Sequence, residues 1–538
     1  MSLDAVGAAL DLDVQKDTAG KRLIKQFCTP ATPSVLNGGG TRNLPSSDPT
    51  SWAQFIDYNQ RDVEVELAIH DRLSSFPIPE AEWDAYALDQ RINDTGILLD
   101  HTLADAAVAL DDQHRAATLA RARELTGLEN PNSPIQLKEW LTTHGCEMSS
   151  LAKADVEAAL ESATGKVKEV LELRGDLAKS SVKKYQAMHN VTGTDGRARG
   201  LIQFYGAGRT GRFAGRLVQV QNLPRNYLPD LDQARTLTRQ RNLDALELLY
   251  DSVPDTLSQL IRTAFIPSAG CRFIVADYSA IEARVIAWLA GETSTLAAFR
   301  DGKDLYCETA SRMFGVPVEK HGINAELRQK GKIATLACGY NGSVGALKAM
   351  GALRMGLVEH ELKPIVDAWR AANPNIVRLW ADVEQAALDA ITTRQAVRLR
   401  NLRFTAESGI LFITLPSGRR LAYVKPQLGE NRWGGTSITY SGVTTGRKWG
   451  RLETYGGKLV ENIVQAVARD LLVHAMTLVA QAGHKIVMHV HDEIVIDEPE
   501  DSGFTIADAC QLMTTPPDWA AGLPLDADGY ECDYYRKD

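Results

Sequence analysis

A short apolar run that ends in an acidic residue constrains this chain more than any other feature. Phe273-Ile-Val-Ala leads into Asp277, and residues 281–290 then follow a helical pattern. Such a run predicts a buried strand, so the sequence places a carboxylate at the end of a strand that the core encloses. A charged group there is costly unless a cation or a hydrogen-bond donor meets it. We therefore expect a cation or a donor at Asp277.

A second acidic residue stands at the bend of a predicted hairpin far downstream. Residues 486–496 form two short β-rich runs, with His491 and Asp492 near their junction. Two strand-borne aspartates can clamp a pair of divalent ions roughly 3.5–4 Å apart, which stabilise the attacking and leaving oxygens in phosphoryl transfer. The pattern favours a site in which Asp277 and Asp492 meet.

Composition sets the broad class. A chain of 538 residues is too long for one ordinary core, and 44% apolar with 24% charged residues is typical of a soluble globular protein. No membrane span is expected, and the first five residues lack the basic region of a signal peptide. The seven cysteines form no Cys-x-x-Cys pair, which favours buried free thiols in a reducing cytoplasm. A net charge of −9 argues against indiscriminate nucleic-acid binding but leaves room for a local basic groove.

Residues 81–190 are predicted to be helical throughout. Ser133 and Pro134 have the types expected of a helix cap and a first helical residue, and residues 166–188 are predicted as one further helix. These helices could simply pack together, or could grip a polyanion through Lys183 and Lys184.

Residues 197–225 contain six arginines, no lysine and no acidic residue: Arg197, Arg199, Arg209, Arg212, Arg216 and Arg225. Without acids nearby, these guanidinium groups predict contacts with external phosphate, and pairing with distant acids is the alternative. Interleaved Gln219, Gln221 and Asn222 could read base edges.

The same stretch matches a dinucleotide-binding pattern at residues 206–211, Gly-Ala-Gly-Arg-Thr-Gly. That motif must open a helix whose first turn holds the pyrophosphate. The run that follows alternates like a strand and ends at Pro224, so we reject this interpretation.

After the Asp277 segment the chain is predicted to be helical to about residue 390, including a helix at 324–339 and, later, one at 461–479. Four residues at intervals of four share one side of the first: Arg328, Lys332, Leu336 and Tyr340. Two cations, an apolar residue and an aromatic ring could hold a triphosphate at one end and a base at the other. A solvated face is the alternative.

Together these segments resemble the family A DNA polymerases of bacteria and phages. Residues 277–284 (Asp-Tyr-Ser-Ala-Ile-Glu-Ala-Arg) are similar to that family's motif A, 328–340 to motif B and 491–493 (His-Asp-Glu) to motif C. Residues 210–212 and 221–224 resemble its minor-groove contact segment, and Gln465 stands where a template-primer contact falls. The motifs follow the family's order over roughly residues 90–538. The residues of motif B are more similar to those of phage members than to those of bacterial members.

The resemblance implies a mixed α+β fold, the polymerase right hand, with an antiparallel palm sheet and helical fingers and thumb. The expected divisions are 1–80 for a partial exonuclease-like remnant, 81–195 for the thumb and linking helices, 196–300 for the first part of the palm, 301–405 for the fingers and 406–538 for the rest of the palm.

The implied activity is template-directed DNA synthesis, which transfers deoxynucleotides from dNTPs to a primer 3′-OH with two Mg²⁺ ions. Asp277 and Asp492 would bind the metal ions, with Glu493 in support and Lys332 as proton donor to the leaving pyrophosphate. The implied dNTP contacts are Arg328, Lys332, Leu336, Tyr340, Tyr306 and Glu282, the last of which would crowd the sugar 2′ position. The implied DNA contacts are Arg209, Arg212, Arg216, Gln221, Arg225, Gln465 and His491.

Primer-template DNA and dNTPs are the implied partners, and further replication proteins are left open. A monomer in the cytoplasm of a bacterium or of a phage-infected host is expected.

Three positions depart from the family pattern. Leu336 stands where an aromatic residue is usual, so stacking on the incoming nucleotide should be weaker. Tyr306 replaces a histidine that commonly touches the triphosphate, and Asn341 replaces a glycine.

The first 80 residues carry a partial motif. Tyr58 and Asp62 resemble the last motif of a 3′–5′ proofreading exonuclease, but the earlier motifs, with their Asp-x-Glu pair, are missing. Because Asp62 alone cannot assemble a two-metal site, no proofreading is expected from this chain.

Three alternatives remain. A metal hydrolase could use His489 and His491, which would share a strand face, with Asp492 and Glu493. Arg328 and Lys332 would then have no role. A non-catalytic DNA-binding replication factor would not need both aspartates. A single-subunit RNA polymerase shares the fold, but Glu282 at the sugar position favours deoxynucleotides.

Overall fold

The computed structural model describes residues 3–13, 20–179, 181–430, 434–444, 446 and 448–537. Two compact units make up the chain, Met1–Asp84 and Ala85–Asp538.

The first unit is helical in its described residues. Its helices are α1 (Leu3–Ala9), α2 (Gly20–Cys28) and α3 (Pro49–Leu73). Helix α3 begins at Pro49 because Asp48 caps it, accepting a hydrogen bond from the Ser51 amide at 3.0 Å. The ring of Tyr58 is buried, and a Cβ at Gly20 would lie 2.0 Å from it, so a glycine is required at this contact between α2 and α3.

The second unit contains the remaining helices and all the strands of the described residues. Its helices are α4 (Glu80–Thr95, which begins in the first unit), α5 (His101–Thr126), α6 (Pro134–Thr143), α7 (Lys153–Leu160), α8 (Gly165–Ala178), α9 (Lys183–Val191), α10 (Leu231–Arg239), α11 (Leu243–Leu249), α12 (Val253–Gln259), α13 (Ile281–Ala290), α14 (Thr293–Arg300), α15 (Leu305–Phe314), α16 (Leu327–Cys338), α17 (Val344–Ala349), α18 (Glu359–Ala372), α19 (Pro374–Thr393), α20 (Gly456–Gln481) and α21 (Ile506–Thr514). Its strands are β1 (Ile97–Leu99), β2 (Arg197–Ala198), β3 (Ile202–Ala207), β4 (Arg212–Gly215), β5 (Phe265–Ile266), β6 (Cys271–Tyr278), β7 (Val397–Leu399), β8 (Leu402–Glu407), β9 (Ile410–Thr414), β10 (Arg420–Glu430), β11 (Thr436–Val443), β12 (Trp449–Thr454), β13 (Ile486–Val490), β14 (Glu493–Pro499) and β15 (Ala527–Cys532).

The sheet that positions the site has the strand order β13-β14-β6-β15, and every pairing in it is antiparallel. Phe273, Ile274 and Val275 of β6 are fully buried. The predicted strand before Asp277, the helix after it and the hairpin around Asp492 are therefore confirmed.

A six-stranded antiparallel sheet has the order β12-β11-β10-β9-β8-β7. It was not predicted, since the sequence pattern indicated no helix or strand between about residues 390 and 461. Strand β8 and the first half of β10 alternate between buried residues such as Phe404 and Tyr423 and more exposed ones such as Arg403, as expected of a half-buried sheet. The expected boundary at residue 405 falls inside β8.

The rejected dinucleotide motif forms a hairpin. Strands β3 and β4 pair across it, so no helix opens after the glycines. Gly211 has a φ of 77°, and a Cβ there would lie 2.5 Å from the Arg419 guanidinium. The glycines thus serve a tight turn and close packing rather than a pyrophosphate.

Two helical predictions are wrong. Residues 81–190 were predicted to be helical throughout, but strand β1 interrupts them. It pairs with β2 and β5 in a three-stranded sheet. The single helix predicted at 166–188 is two helices, α8 and α9, with Lys179 already in extended backbone. The predicted helix start at Ser133 is confirmed, since its hydroxyl accepts from the Gln136 amide at 3.4 Å.

Among the described helices, α20 alone is long and apolar enough to cross a membrane, but most of that stretch is buried within the protein. Its apolar side chains fill the core between α13, α19 and β13. All seven cysteines are free thiols, as predicted, although only Cys307 and Cys338 are buried.

Candidate active site

Asp277 and Asp492 come together at one end of the four-stranded sheet. The register pairs Asp277 with Glu493, so the turn before β14 lies beside the end of β6. The Tyr278 amide donates to the Asp492 carbonyl at 3.2 Å and closes this junction. His491 adopts a φ of 58°, which reverses the chain and presents the next side chain to the same space.

The two carboxyl groups form a strongly acidic pocket. Oδ1 of Asp277 is buried and meets no donor among the described residues. Burial, followed by the charge of the neighbouring Asp277, raises the pKa of Asp492 to about 7. Two carboxylates held this close call for a cation between them.

Lys537 supplies one positive charge here. Its Nζ lies 3.3 Å from Oδ2 of Asp277 and 3.3 Å from Oε2 of Glu493. The other oxygen of Glu493, Oε1, accepts from the Tyr535 hydroxyl at 2.6 Å. Both oxygens of this buried glutamate are therefore engaged by protein donors.

Glu282, in the first turn of α13, joins two other predicted site residues. Its Oε1 accepts from the Arg212 guanidinium at 2.9 Å, and its Oε2 accepts from the Tyr340 hydroxyl at 2.8 Å. Burial, together with the Glu282 charge, raises the pKa of Tyr340 well above its usual range. The phenol thus stays a hydrogen-bond donor and holds Glu282 in place.

Five of these residues line one cleft of about 570 Å³: Asp277, Asp492, Lys537, Arg212 and Glu282. Its lining mixes acidic, basic and apolar side chains: Arg212, Phe213, Arg225, Asp277, Ala280, Ile281, Glu282, Ala283, Leu305, Tyr306, Thr335, Leu336, Ala468, Arg469, Leu472, His491, Asp492 and Lys537. The volume lies within the range of small-molecule sites. The lining includes the carboxylates of Asp277, Asp492 and Glu282 as well as the exposed apolar side chain of Leu336, so the cleft offers both polar and apolar contacts.

Arg328 and Lys332 lie on α16 but outside the lining of this cleft. Arg328 forms a 2.7 Å ion pair with Asp304, and its guanidinium carbon lies 5.3 Å from the centre of the Tyr306 ring. Lys332 Nζ lies 6.0 Å from the same ring. Tyr306 lines the cleft, so both cations lie against the ring of a residue in the cleft lining.

Close packing of α16 on α15 fixes this arrangement. A Cβ at Gly331 would lie 2.3 Å from the Tyr306 carbonyl oxygen, so only glycine permits the two helices to approach this closely. The predicted four-residue stripe holds for Arg328, Lys332 and Leu336, while Tyr340 lies beyond the last helical residue.

Three of the six arginines pair with acidic residues outside the segment, which was the alternative to phosphate contact. Arg197 pairs with Asp497, Arg199 with Asp195 and Arg212 with Glu282. Local sequence cannot reveal Asp497 or Glu282, because each lies at least 70 positions away.

The other three arginines differ among themselves. Arg209 donates to the Ala422 carbonyl and lies 4.5 Å from the ring centres of Tyr423 and Tyr440. Arg216 and Arg225 are exposed and form no ion pair within the described part of the chain. Arg225 also lines the cleft.

The glutamine side chains that were predicted to contact DNA form contacts within the protein. The Gln221 side chain accepts from the Gly215 amide at 2.9 Å and donates to the Phe213 carbonyl at 3.3 Å, bracing β4. The Gln221 carbonyl in turn lies 3.3 Å from Nε2 of His491. Gln465, half-buried on α20, lies 3.5 Å from Glu461.

The histidines do not support a zinc hydrolase. His489 is fully buried in β13 against the Phe213 ring, whereas His491 is exposed in the turn, so the predicted shared face is wrong. Among the described residues no group of three or more histidine, cysteine and acidic side chains has the geometry of a metal site.

Sequence reasoning missed Asp304, Tyr535 and Lys537. Asp304 carries a signal, since it precedes a helix and caps α15, accepting from the Tyr306 and Cys307 amides at 2.9 Å. Tyr535 and Lys537 carry none, because no local pattern shows that their segment returns to Asp277.

The chain is similar to known proteins over its whole length. Residues 102–409 match the family model for DNA polymerase family A. The chain is 54% identical over its whole length to the DNA polymerase of Bacillus phage SP02, covering 83% of that protein. It is 26% identical to a thermostable DNA polymerase I of Thermus thermophilus over 55% of the chain, spanning 31% of that relative.

A solved structure extends the comparison to the fold. The polymerase domain of Pol1 from M. smegmatis, solved in complex with DNA primer-template and dNTP, has a TM-score of 0.61 and 19% sequence identity. The match covers 99% of this chain and 81% of that one, so the predicted polymerase fold is confirmed. With a family model matched over more than half its length and a phage relative matched throughout, the chain belongs to DNA polymerase family A.

Proposed function

We propose that this DNA-directed DNA polymerase extends a primer by two-metal phosphoryl transfer at Asp277 and Asp492. Family membership establishes template-directed DNA synthesis as the activity and metal dependence as its chemistry. The observation that supports the residue assignment is the meeting of these two aspartates in a 570 Å³ cleft beside α16.

The donor set suits Mg²⁺. Oδ1 of Asp277 is a buried oxygen that meets no donor in the described part of the chain, and the Asp492 carboxyl lies beside it. Mg²⁺ prefers carboxylate oxygens, water and substrate phosphates, and when bound it neutralises charge on the reacting phosphate and activates the primer hydroxyl. Glu493 has both oxygens engaged, so its proposed role is to hold Lys537 and Tyr535 rather than to bind metal.

The incoming dNTP is proposed to enter between α16 and the carboxylates. Its base and sugar would face Leu336, Tyr340 and Glu282, with Glu282 excluding a 2′-hydroxyl. Arg328 and Lys332 would bind the triphosphate once Arg328 exchanges Asp304 for phosphate, and Lys332 would protonate the leaving pyrophosphate. Tyr306 supports both cations through its ring and can donate a hydrogen bond.

Primer-template DNA is proposed to contact the hairpin side of the cleft. Arg212, Arg216 and Arg225 would meet the backbone or minor groove, with His491, Gln221, Gln465 and Arg209 positioning the contact. Because the Arg212 charge is already balanced by Glu282, Arg216 and Arg225 are the strongest candidates for phosphate contacts.

The divisions into thumb (81–195), palm (196–300 and 406–538) and fingers (301–405) are part of this proposal. The proposal also includes action as a monomer in the cytoplasm of a bacterium or of a phage-infected host, and the absence of proofreading at Tyr58 and Asp62. Degradation of a 3′ end by the purified chain, lost in Asp62→Ala, would disprove the last point.

Extension of a primed template tests the function directly. With Mg²⁺ and dNTPs we expect products of template length. After chelation with EDTA we expect no extension, because the chemistry proposed at Asp277 and Asp492 requires a bound ion. Mass analysis of products made from dNTPs and from ribonucleotides checks the sugar. Extension that persists in EDTA would contradict the metal assignment.

Salt dependence tests the DNA contacts. Affinity for DNA falls as salt rises, and each phosphate contact contributes about 0.9 to the steepness of log affinity against log salt. Removing Arg216 and Arg225 together should therefore make this slope shallower by about 2. Arg199→Ala is the matched control, because that side chain is already paired with Asp195 at 2.6 Å. Fluorescence anisotropy with a primed duplex measures the slopes, and equal slopes in all variants would remove both arginines from the interface.

A further inference from the structure

Lys537 forms the one ammonium contact to the carboxylate cluster within the described residues. Its Nζ bridges Oδ2 of Asp277 and Oε2 of Glu493, at 3.3 Å from each. Oδ1 of Asp277 has no donor among the residues that the structure describes, and it remains for another ligand. The lysine thus occupies the side of Asp277 away from the open position.

The backbone around Lys537 is held at several points, so this contact is built into the fold. The Lys537 amide donates to the buried Asn226 side chain at 2.8 Å, and the Asn226 amide donates to the Lys537 carbonyl at 3.2 Å. Two residues earlier, the Tyr535 amide donates to the Phe265 carbonyl at 2.9 Å, and the side chain is fully buried. The Lys537 side chain itself is only 23% exposed.

The charge of Lys537 affects both the stability of the carboxylate cluster and its affinity for a divalent ion. Asp277, Asp492 and Glu493 carry three negative charges when ionised, and without a cation they repel one another. An ammonium among them stabilises the cluster when no divalent ion is bound. The same ammonium repels an arriving divalent ion.

We propose that Lys537 is a built-in counter-cation of the carboxylate cluster, which keeps the site assembled without metal and weakens divalent-ion binding. It is a positioning residue, and the inference rests on the metal site proposed above. A lysine that only oriented Asp277 would have the opposite effect on ion affinity, because its loss would disorder a ligand.

Mn²⁺ binding to the DNA-free enzyme, followed by electron paramagnetic resonance of the free ion, separates the two roles. Lys537→Met should bind Mn²⁺ about tenfold more tightly, as expected for loss of a unit charge about 5 Å from the ion in a partly solvated site. Lys537→Gln, which donates a hydrogen bond without charge, should behave like Lys537→Met. Lys537→Arg should retain the wild-type affinity.

Thermal unfolding gives a second readout. Without divalent ions, Lys537→Met should unfold at a lower temperature than the wild type, and saturating Mg²⁺ should remove the difference. Lys485→Met is the matched control, since Lys485 Nζ also lies 3.3 Å from a carboxylate of β14, that of Asp497. It should leave Mn²⁺ affinity unchanged.

The outcomes are distinguishable. If Asp277→Asn leaves Mn²⁺ binding unchanged, the proposed metal site fails. If Asp277→Asn weakens binding but Lys537→Met binds with wild-type or lower affinity, the counter-cation role is overturned and the metal site stands.

Discussion

Asp492→Asn is expected to abolish detectable primer extension, a loss of about a thousandfold or more. An amide cannot replace a carboxylate as a hard anionic ligand, and a bound metal ion contributes several kcal/mol to the stability of the phosphoryl-transfer transition state, with about 1.4 kcal/mol for each tenfold in rate. Affinity for primed DNA should change little, because the substitution removes a proposed metal ligand and leaves the exposed arginines Arg216 and Arg225 in place. Single-turnover extension and anisotropy measure the two properties separately.

The same substitution should stabilise the metal-free protein at alkaline pH. Burial and the Asp277 charge raise the pKa of Asp492 to about 7, above the ordinary aspartate value of 3.8. This group's stabilising contribution is therefore fully present below pH 3.8 and is lost as pH rises through about 7. In EDTA, the unfolding temperature of the wild type should fall between pH 5 and pH 8 by more than that of Asp492→Asn, as about 7 lies within this interval.

Asp501→Asn controls for loss of an acidic residue near β14. Asp501 is exposed in the turn that follows the other end of that strand. It should retain full extension and the wild-type pH dependence. Loss of DNA binding in Asp492→Asn equal to the loss of extension would mean that Asp492 has a structural role.

Glu282→Ala is expected to raise the use of ribonucleotides relative to deoxynucleotides by about tenfold to a hundredfold. Glu282 lines the cleft, and the Arg212 and Tyr340 contacts fix its carboxylate, so it can exclude a 2′-hydroxyl by its bulk. Discrimination by the fit of a group this small is typically of this size. The ratio of kcat/KM for a ribonucleotide and its deoxynucleotide measures the effect.

Glu282→Gln separates size from charge. Glutamine keeps the volume of glutamate and can accept from Tyr340, but it lacks the charge that pairs with Arg212. If bulk decides, Glu282→Gln should remain close to the wild type in sugar choice while its DNA affinity changes through Arg212. Equal relaxation in both variants would show that the charge, rather than the bulk, selects the sugar.

Elements whose information is local could be predicted from the sequence. The strand before Asp277, the hairpin around Asp492 and the start of α6 at Ser133 each depend on neighbouring residues, and all three are confirmed. The helix predicted across 166–188 failed because local periodicity does not register a break that packing imposes. The six-stranded sheet went unassigned because short half-buried strands carry a weaker pattern than helices.

By itself, the sequence determined the family, since the order of the motifs encodes it, and it predicted that two strand-borne aspartates and a cationic helix form one site. Only the tertiary structure decided which charges meet. Glu282 pairs with Arg212, Asp304 with Arg328, and Lys537 with Asp277, across 24 to 260 positions. Coulomb interactions depend on distance in space, and a one-dimensional pattern does not contain that distance.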